Sequence, residues 1–428
     1  MPNYSVYNKD ADCLENKIYG DNNDNSVALS CDVNGALNTT LINKSGEEQF
    51  LPYTAFNELR VANLTAYAGW TFNYTVNNTD LVTTATTGSG TVTQSNSKCV
   101  LSTTATGSSS AQVESIEVLR YEPGMGGLLR IAAIFTTGVA GSTQLVGIGD
   151  TADEFFFGYN GTAFGVLRRQ NSVDTWTPQT SWNGDKFDGT GNSGITLDTT
   201  KGNVFSIRFQ WLGFGAIEYY IENPDTGVET MVHRIKYGNT YTNPSIYNPT
   251  LPILARVENT TNNTNIVVQT SSAMAFLEGL SNQAISSRNS IYHSVEDKIV
   301  SGEPLLTIRN KSSFYARNNR VRIKVDYVST AAEGTNPVNF IIYSNGTLTG
   351  ASYTDISTAT SVVEYDVAAT TITGGKKILC FAVSKSDSAK LLLDSLNITV
   401  NPGDTLTIAA ICSTNTDVCV SFAWREMF

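Results

Sequence analysis

General acid–base chemistry at neutral pH most often uses histidine, and this chain has two, His233 and His293. His233 lies in a strand-like run and His293 in a polar connector. Neither accompanies a nucleophile motif of the Gly-x-Ser-x-Gly kind. Paired carboxylates are the next chemistry to consider. Glu218 and Glu222 in IEYYIE share one face of a strand. Retaining glycosidases hold their carboxyls about 5–5.5 Å apart, whereas residues i and i+4 of a strand lie about 13 Å apart at ~3.3 Å per residue. Only a bulge would close that gap. No catalytic residue is expected, and the chain is not expected to be an enzyme.

Hard oxygen ligands cluster twice, at Asp21, Asn22, Asn23 and Asp24, and at Asp150, Asp153 and Glu154. Neither run has the spaced loop and distal glutamate of a calcium-binding hand, and turn chemistry accounts for both. Neither metal nor cofactor is expected. The aromatic chemistry is sharper. Trp176 and Trp182 bracket TPQTS and are followed by Asn183, Asp185 and Asp188. Flat rings beside amides and carboxylates suit stacking on a sugar. The same indoles suit packing over the edge of a sheet, and both readings stand. AAICSTNTDVCVSF is near-symmetric about Asn415-Thr416, so Cys412 and Cys419 could face each other across a hairpin, within disulfide reach. A reducing place of synthesis argues against that bond.

The elements that must position these residues are strands. Only 16% of the 428 residues are charged, and the net charge is −11. An acidic chain with no basic stripe offers no footprint for nucleic acid or an anionic membrane. No apolar run is long enough for a spanning helix. The first residues, MPNYSVYNKDADCLENKIYG, lack a basic stretch followed by an apolar one, so no secretory leader is expected. The six cysteines (Cys13, Cys31, Cys99, Cys380, Cys412 and Cys419) form no Cys-x-x-Cys pair, which argues against a zinc site. Synthesis in a reducing cell interior is expected.

Period-two alternation between turn signals dominates, so the fold class is all-β. Three blocks are expected. Residues 1–112 are the most polar, with low-complexity tracts GDNNDNS, TTATTGSGT and STTATGSSS, and read as an anchoring segment ending in a linker. Residues 113–282 read as a β-sandwich of jelly-roll or lectin-like type, and residues 283–428 as a second sandwich built from seven short runs. Short helices are expected near Leu51–Leu59 and at Ser272–Leu280. In DEFFFGYNGTAFGVLRR (153–169), Asn160-Gly161 is a strong hairpin signal, both residues taking positive φ in a type I′ turn.

The run DEFFFGYNGTAFGVLRRQNSVDTWTPQTSWNGDKFDGTG, continuing to TLDTTKGNVFSIRFQWLGFGAIEYYIENPDTG, resembles a segment recurring in virion surface proteins of tailed phages and large DNA viruses. LLTIRNK, TDISTATSVVEYDVA, NPGDTLTIAA and SFAWREMF are similar to the C-terminal sandwich of such proteins. The resemblance covers roughly residues 113–428 and implies a minor capsid, fibre or spike-like component with no defined active site. It implies other virion proteins as partners, a homo-oligomer such as a trimer, and a place in the virion. The alternative is a lectin-like protein that binds a surface glycan during host attachment. Neither nucleic acid nor membrane insertion is expected.

Overall fold

The computed structural model describes residues 19–22, 25–28, 62–77, 80–280, 286–298, 301–393, 396 and 398–428. The chain divides into two compact units, Met1–Ala62 and Asn63–Phe428. In the first, Tyr19–Asn22 pairs antiparallel with Asn25–Ala28. The helix expected near Leu51–Leu59 lies outside the described residues, as do Asn23 and Asp24 of the first oxygen-rich run.

The second unit is all-β and holds two sandwiches. One sheet of the first sandwich has seven strands, in the spatial order Val173–Pro178, Ala163–Gln170, Glu154–Asn160, Ser142–Gly149, Leu251–Asn259, Ser109–Leu119 and Val82–Thr87. The facing sheet has eight. Its path runs Glu229–Ile235, Ile217–Glu222, Asn203–Phe209, Gly126–Phe135, Val267–Glu278, Lys98–Ser102 and Thr91–Ser95, with Leu64–Thr71 also pairing with Val267–Glu278. Alternation makes the core, as in Ile217–Glu222, where Ile217, Tyr219 and Ile221 are buried and their neighbours half-buried. Phe155 and Phe157 point inward. Phe157 lies 4.9 Å from Phe205 and 5.2 Å from Tyr219 between ring centroids, within the range of favourable aromatic pairs.

The division expected at residue 112 is corrected. It falls inside Ser109–Leu119, and five strands beginning before it belong to the first sandwich. The threonine-rich tracts that read as low complexity supply half-exposed strands, for which β-branched residues are well suited. The buried positions of these strands are mostly apolar, Trp70, Val82, Cys99, Leu101 and Ala111 among them, with Ser109 a polar exception. The helix expected at Ser272–Leu280 is also corrected. Val267–Glu278 is a strand held on both sides, with Ala273, Ala275 and Leu277 inward at period two.

The hairpin at 153–169 forms with its turn one residue later than expected. Asn160 pairs with Ala163, leaving Gly161 and Thr162 at the tip, and of these only Gly161 has positive φ, at 62°. A type I′ turn needs positive φ at both central residues, whereas a glycine first and an ordinary residue second suits type II′.

The second sandwich pairs a five-stranded sheet with a six-stranded one. The first comprises Ser287–Lys298, Thr416–Met427, Arg322–Glu333 and Asp387–Leu392, with Thr399–Val400 added to Arg322–Glu333. The second runs Thr354–Asp355, Val363–Asp366, Ser301–Asn310, Thr405–Ile411, Val338–Ser344 and Lys376–Val383. Trp424, Phe422 and Phe340 fill the space between them. The hairpin expected around Asn415-Thr416 does not form. Thr405–Ile411 and Thr416–Met427 belong to opposite sheets, and Cys419 pairs in register with Ser294 and Ala331. Cys412 is buried, Cys419 is exposed, and no disulfide joins them.

Candidate functional site on the outer face of the seven-stranded sheet

Trp182 is 2% exposed. It stands edge-on to Phe157 at 6.3 Å and to Phe164 at 6.1 Å, inside the first core. It therefore has no face to offer a sugar, and the pairing of Trp176 with Trp182 as two plates is corrected. Asn183 docks its loop onto the neighbouring strand: its Nδ2 donates to the Arg234 carbonyl at 2.8 Å and its Oδ1 accepts from the Arg234 N–H at 2.8 Å. Asp185 accepts from the Phe187 and Ser193 N–H groups at 3.0 and 2.7 Å. Asp188 accepts from Thr190 Oγ1 and N–H, which hold its carboxyl below its ordinary value. These three side chains shape the loop.

Trp176 has a different setting. It pairs in register with Leu167 and packs on a small outer cluster of Leu145, Phe156, Leu167 and Leu254. Glycines make the room. Gly147, opposite Phe156 and Leu254, would carry a Cβ that overlaps the Phe156 ring. A Cβ on Gly165 would come within 3.0 Å of the Trp176 indole. The two aromatics thus lean over backbone that bears no side chain, and Arg256 lies 5.4 Å above the Phe156 ring.

Beside this floor runs a row of alternating charge, Asp174, Arg169, Glu154 and Arg256. Arg169 donates to Asp174 at 2.5 and 3.1 Å and to Glu154 at 3.1 Å. Arg256 donates to both oxygens of Glu154, at 2.7 and 3.0 Å. Glu154 is fully buried. Burial pushes its carboxyl up, and the two guanidiniums oppose that. A carboxylate so engaged is a tie between strands rather than a ready proton donor. The row was not legible in the sequence, because Arg256 lies 102 residues from Glu154.

The other expected groups are also engaged. Glu218 accepts from Arg234 Nε at 2.8 Å and from the Tyr220 hydroxyl at 2.6 Å. The one bulge in that strand pair skips Val232 on the partner strand, so it does not draw Glu222 toward Glu218. His233 is buried, which lowers its pKa, and it lies in a different sandwich from His293. Asp150 accepts from the Ala152 and Asp153 N–H groups. Asp153 accepts from those of Asn171, Tyr247 and Asn248. No cluster of three potential metal ligands occurs among the described residues, and no described helix is long and apolar enough to cross a membrane.

No protein-family model matches the sequence, and no curated protein matches it. Among solved structures the chain is similar to a glycosyl hydrolase family protein from Mycobacterium fortuitum, at 12% identity and TM-score 0.35, over 49% of this chain and 99% of that one. It is similar to a protein of unknown function from Shewanella oneidensis MR-1, at 9% identity and TM-score 0.34, over 54% and 91%. It is also similar to peanut lectin, at 12% identity and TM-score 0.33, over 51% and 100%. The all-β assignment rests on the strand pairing itself.

Proposed function

We propose that this chain is a structural component of a virus particle, a capsid-associated, fibre or spike-like protein that presents two sandwiches as one rigid piece. The sequence resemblance over residues 113–428 supports this reading. The observation that carries it is the joint between the sandwiches. Arg322 is ion-paired with Glu117 and Arg320 with Asp150. Arg120 donates to the Phe428 carbonyl at 3.2 Å. Arg322 retains only 10% side-chain exposure. Ion pairs across a joint favour one relative orientation, because a shifted joint would leave partly buried charges unpaired.

On this reading the residues before Leu64 attach the protein to other virion components. The chain works as a homo-oligomer and catalyses nothing. The polar groups that could serve chemistry instead tie strands together, as Glu154 and Glu218 do. The test is composition. Particles purified from cultures carrying the gene should contain the chain at a fixed ratio to the main shell protein, and particles free of it would refute the assignment.

A second reading, glycan binding during attachment, is favoured by one feature. Trp176 is a half-buried indole beside a charged row on an open sheet face. Loss of binding to a glycan array in Trp176→Ala, with the melting temperature kept, would support it. An array on which the wild type binds nothing would remove it.

A further inference from the structure

The joint between the sandwiches also leaves a partly open space. A cavity of about 350 Å³ is lined by Glu114 and Val118 of the first sandwich and by Arg320, Arg322, Asn401 and Asp404 of the second. Sites for small ligands favour such domain boundaries and this range of volume. Arg320 and Arg322 each keep a buried Nε–H with no partner. Buried donors are rarely left without an acceptor, so these two call for oxygen atoms from whatever fills the space. The opposite need is present as well. Glu114 accepts a single long hydrogen bond, from Gln112 at 3.3 Å, and burial raises its pKa. Asp404 accepts from Asn345 Nδ2 at 2.9 Å and is likewise raised by burial.

The charge balance narrows the occupant. The carboxylates of Glu114, Glu117, Asp150 and Asp404 outnumber the guanidiniums of Arg320 and Arg322 by four to two. A phosphate or carboxylate would meet net negative charge. A metal ion would meet two guanidiniums and no cluster of three ligands. A hydroxyl both donates and accepts, so it can answer an arginine Nε–H and a carboxylate together. At about 30 Å³ per water, the cavity holds roughly a dozen water volumes, room for one sugar ring with bridging water.

We propose that the joint between the sandwiches is a binding site for a neutral, monosaccharide-sized polyol. The Nε–H groups of Arg320 and Arg322 donate to its oxygens, and Glu114 and Asp404 accept from its hydroxyls. The site shares the outer sheet face with Trp176 but lies toward the other end of the sheet, where Glu114 pairs with Leu254. Trp176 does not line it, and it does not depend on the particle assignment.

Titration calorimetry on the full chain tests it, with glucose, galactose, mannose and N-acetylglucosamine as probes and inorganic phosphate and calcium as contrasts. At least one sugar should saturate at one per chain, and phosphate and calcium should not. Arg322→Lys keeps the charge opposite Glu117 and removes the Nε–H. It should weaken binding about tenfold or more, the worth of one hydrogen bond to a charged donor. Glu114→Gln, close in shape and less demanding of the fold, should weaken it too, and Trp176→Ala should leave it unchanged. The proposal is overturned if water alone fills the site and no sugar saturates, or if phosphate or calcium binds instead. It is equally overturned if binding falls with Trp176→Ala and ignores both joint substitutions.

Discussion

Glu154 and Arg256 join through two hydrogen bonds of 2.7 and 3.0 Å, across the strand that carries Gly147 and Gly149. A Cβ on Gly149 would come within 2.7 Å of the Glu154 Cγ, so the missing side chain opens the route by which the pair meets. Removing the carboxylate strands the Arg256 guanidinium, which has 18% side-chain exposure, and leaves Arg169, at 20%, on Asp174 alone. Glu154→Ala should therefore cost about 3–5 kcal/mol, the penalty for breaking a buried pair. Urea unfolding monitored by tryptophan fluorescence measures it. A loss under about 1 kcal/mol would mean that the row is only a surface ion-pair network.

The two tryptophans should separate cleanly. Trp182→Ala empties a site in the core and should destabilise by about 3–5 kcal/mol. Trp176→Ala removes a half-buried outer ring and should cost clearly less. Melting curves of the two variants compare them directly, and equal losses would contradict the placement of Trp182 inside.

Thiol reactivity should follow burial. Burial pushes the Cys99 thiol up to about 12, and Cys412 is also buried, whereas Cys380 and Cys419 are exposed. Brief iodoacetamide treatment of the native protein near pH 8, read by peptide mapping, should label Cys380 and Cys419 and spare Cys99 and Cys412. Both Cys412 and Cys419 should be labelled after unfolding without reductant. Their joint protection there would reveal a disulfide.

Acid should strengthen the joint. Burial raises the Glu114 carboxyl above its ordinary value of 4.5 and Asp404 above 3.8. A carboxyl whose folded pKa is raised contributes stability that is fully present below the unfolded pKa and is lost as pH rises through the folded one. Glu114→Gln removes this dependence at one position. The stability of the variant relative to wild type should rise as pH rises from about 4 to 7. A difference that is flat, or slopes the other way, would show that Glu114 is not strained by burial.

Alternation was enough to read the strand content. Phe205, Ile207 and Phe209 face inward as their spacing requires, because the side chains of a strand alternate whatever it pairs with. The two sandwich cores were legible for the same reason. Partnership was not legible. The local symmetry around Asn415-Thr416 suggested that Cys412 faces Cys419, but whether a chain turns back within a sheet or crosses to the opposite one depends on which distant strand offers an edge. The polarity of residues 64–112 hid their membership of the first sandwich, since a strand with one wet face reads like a linker until its partner is known. Trp176 and Trp182 look equivalent in sequence. Gly165 lets one lie on the outer face, and Phe157 and Phe164 enclose the other. The joint of Glu114, Arg320 and Arg322 exists only because packing brings together groups about 200 residues apart, at distances where Coulomb and desolvation energies become decisive.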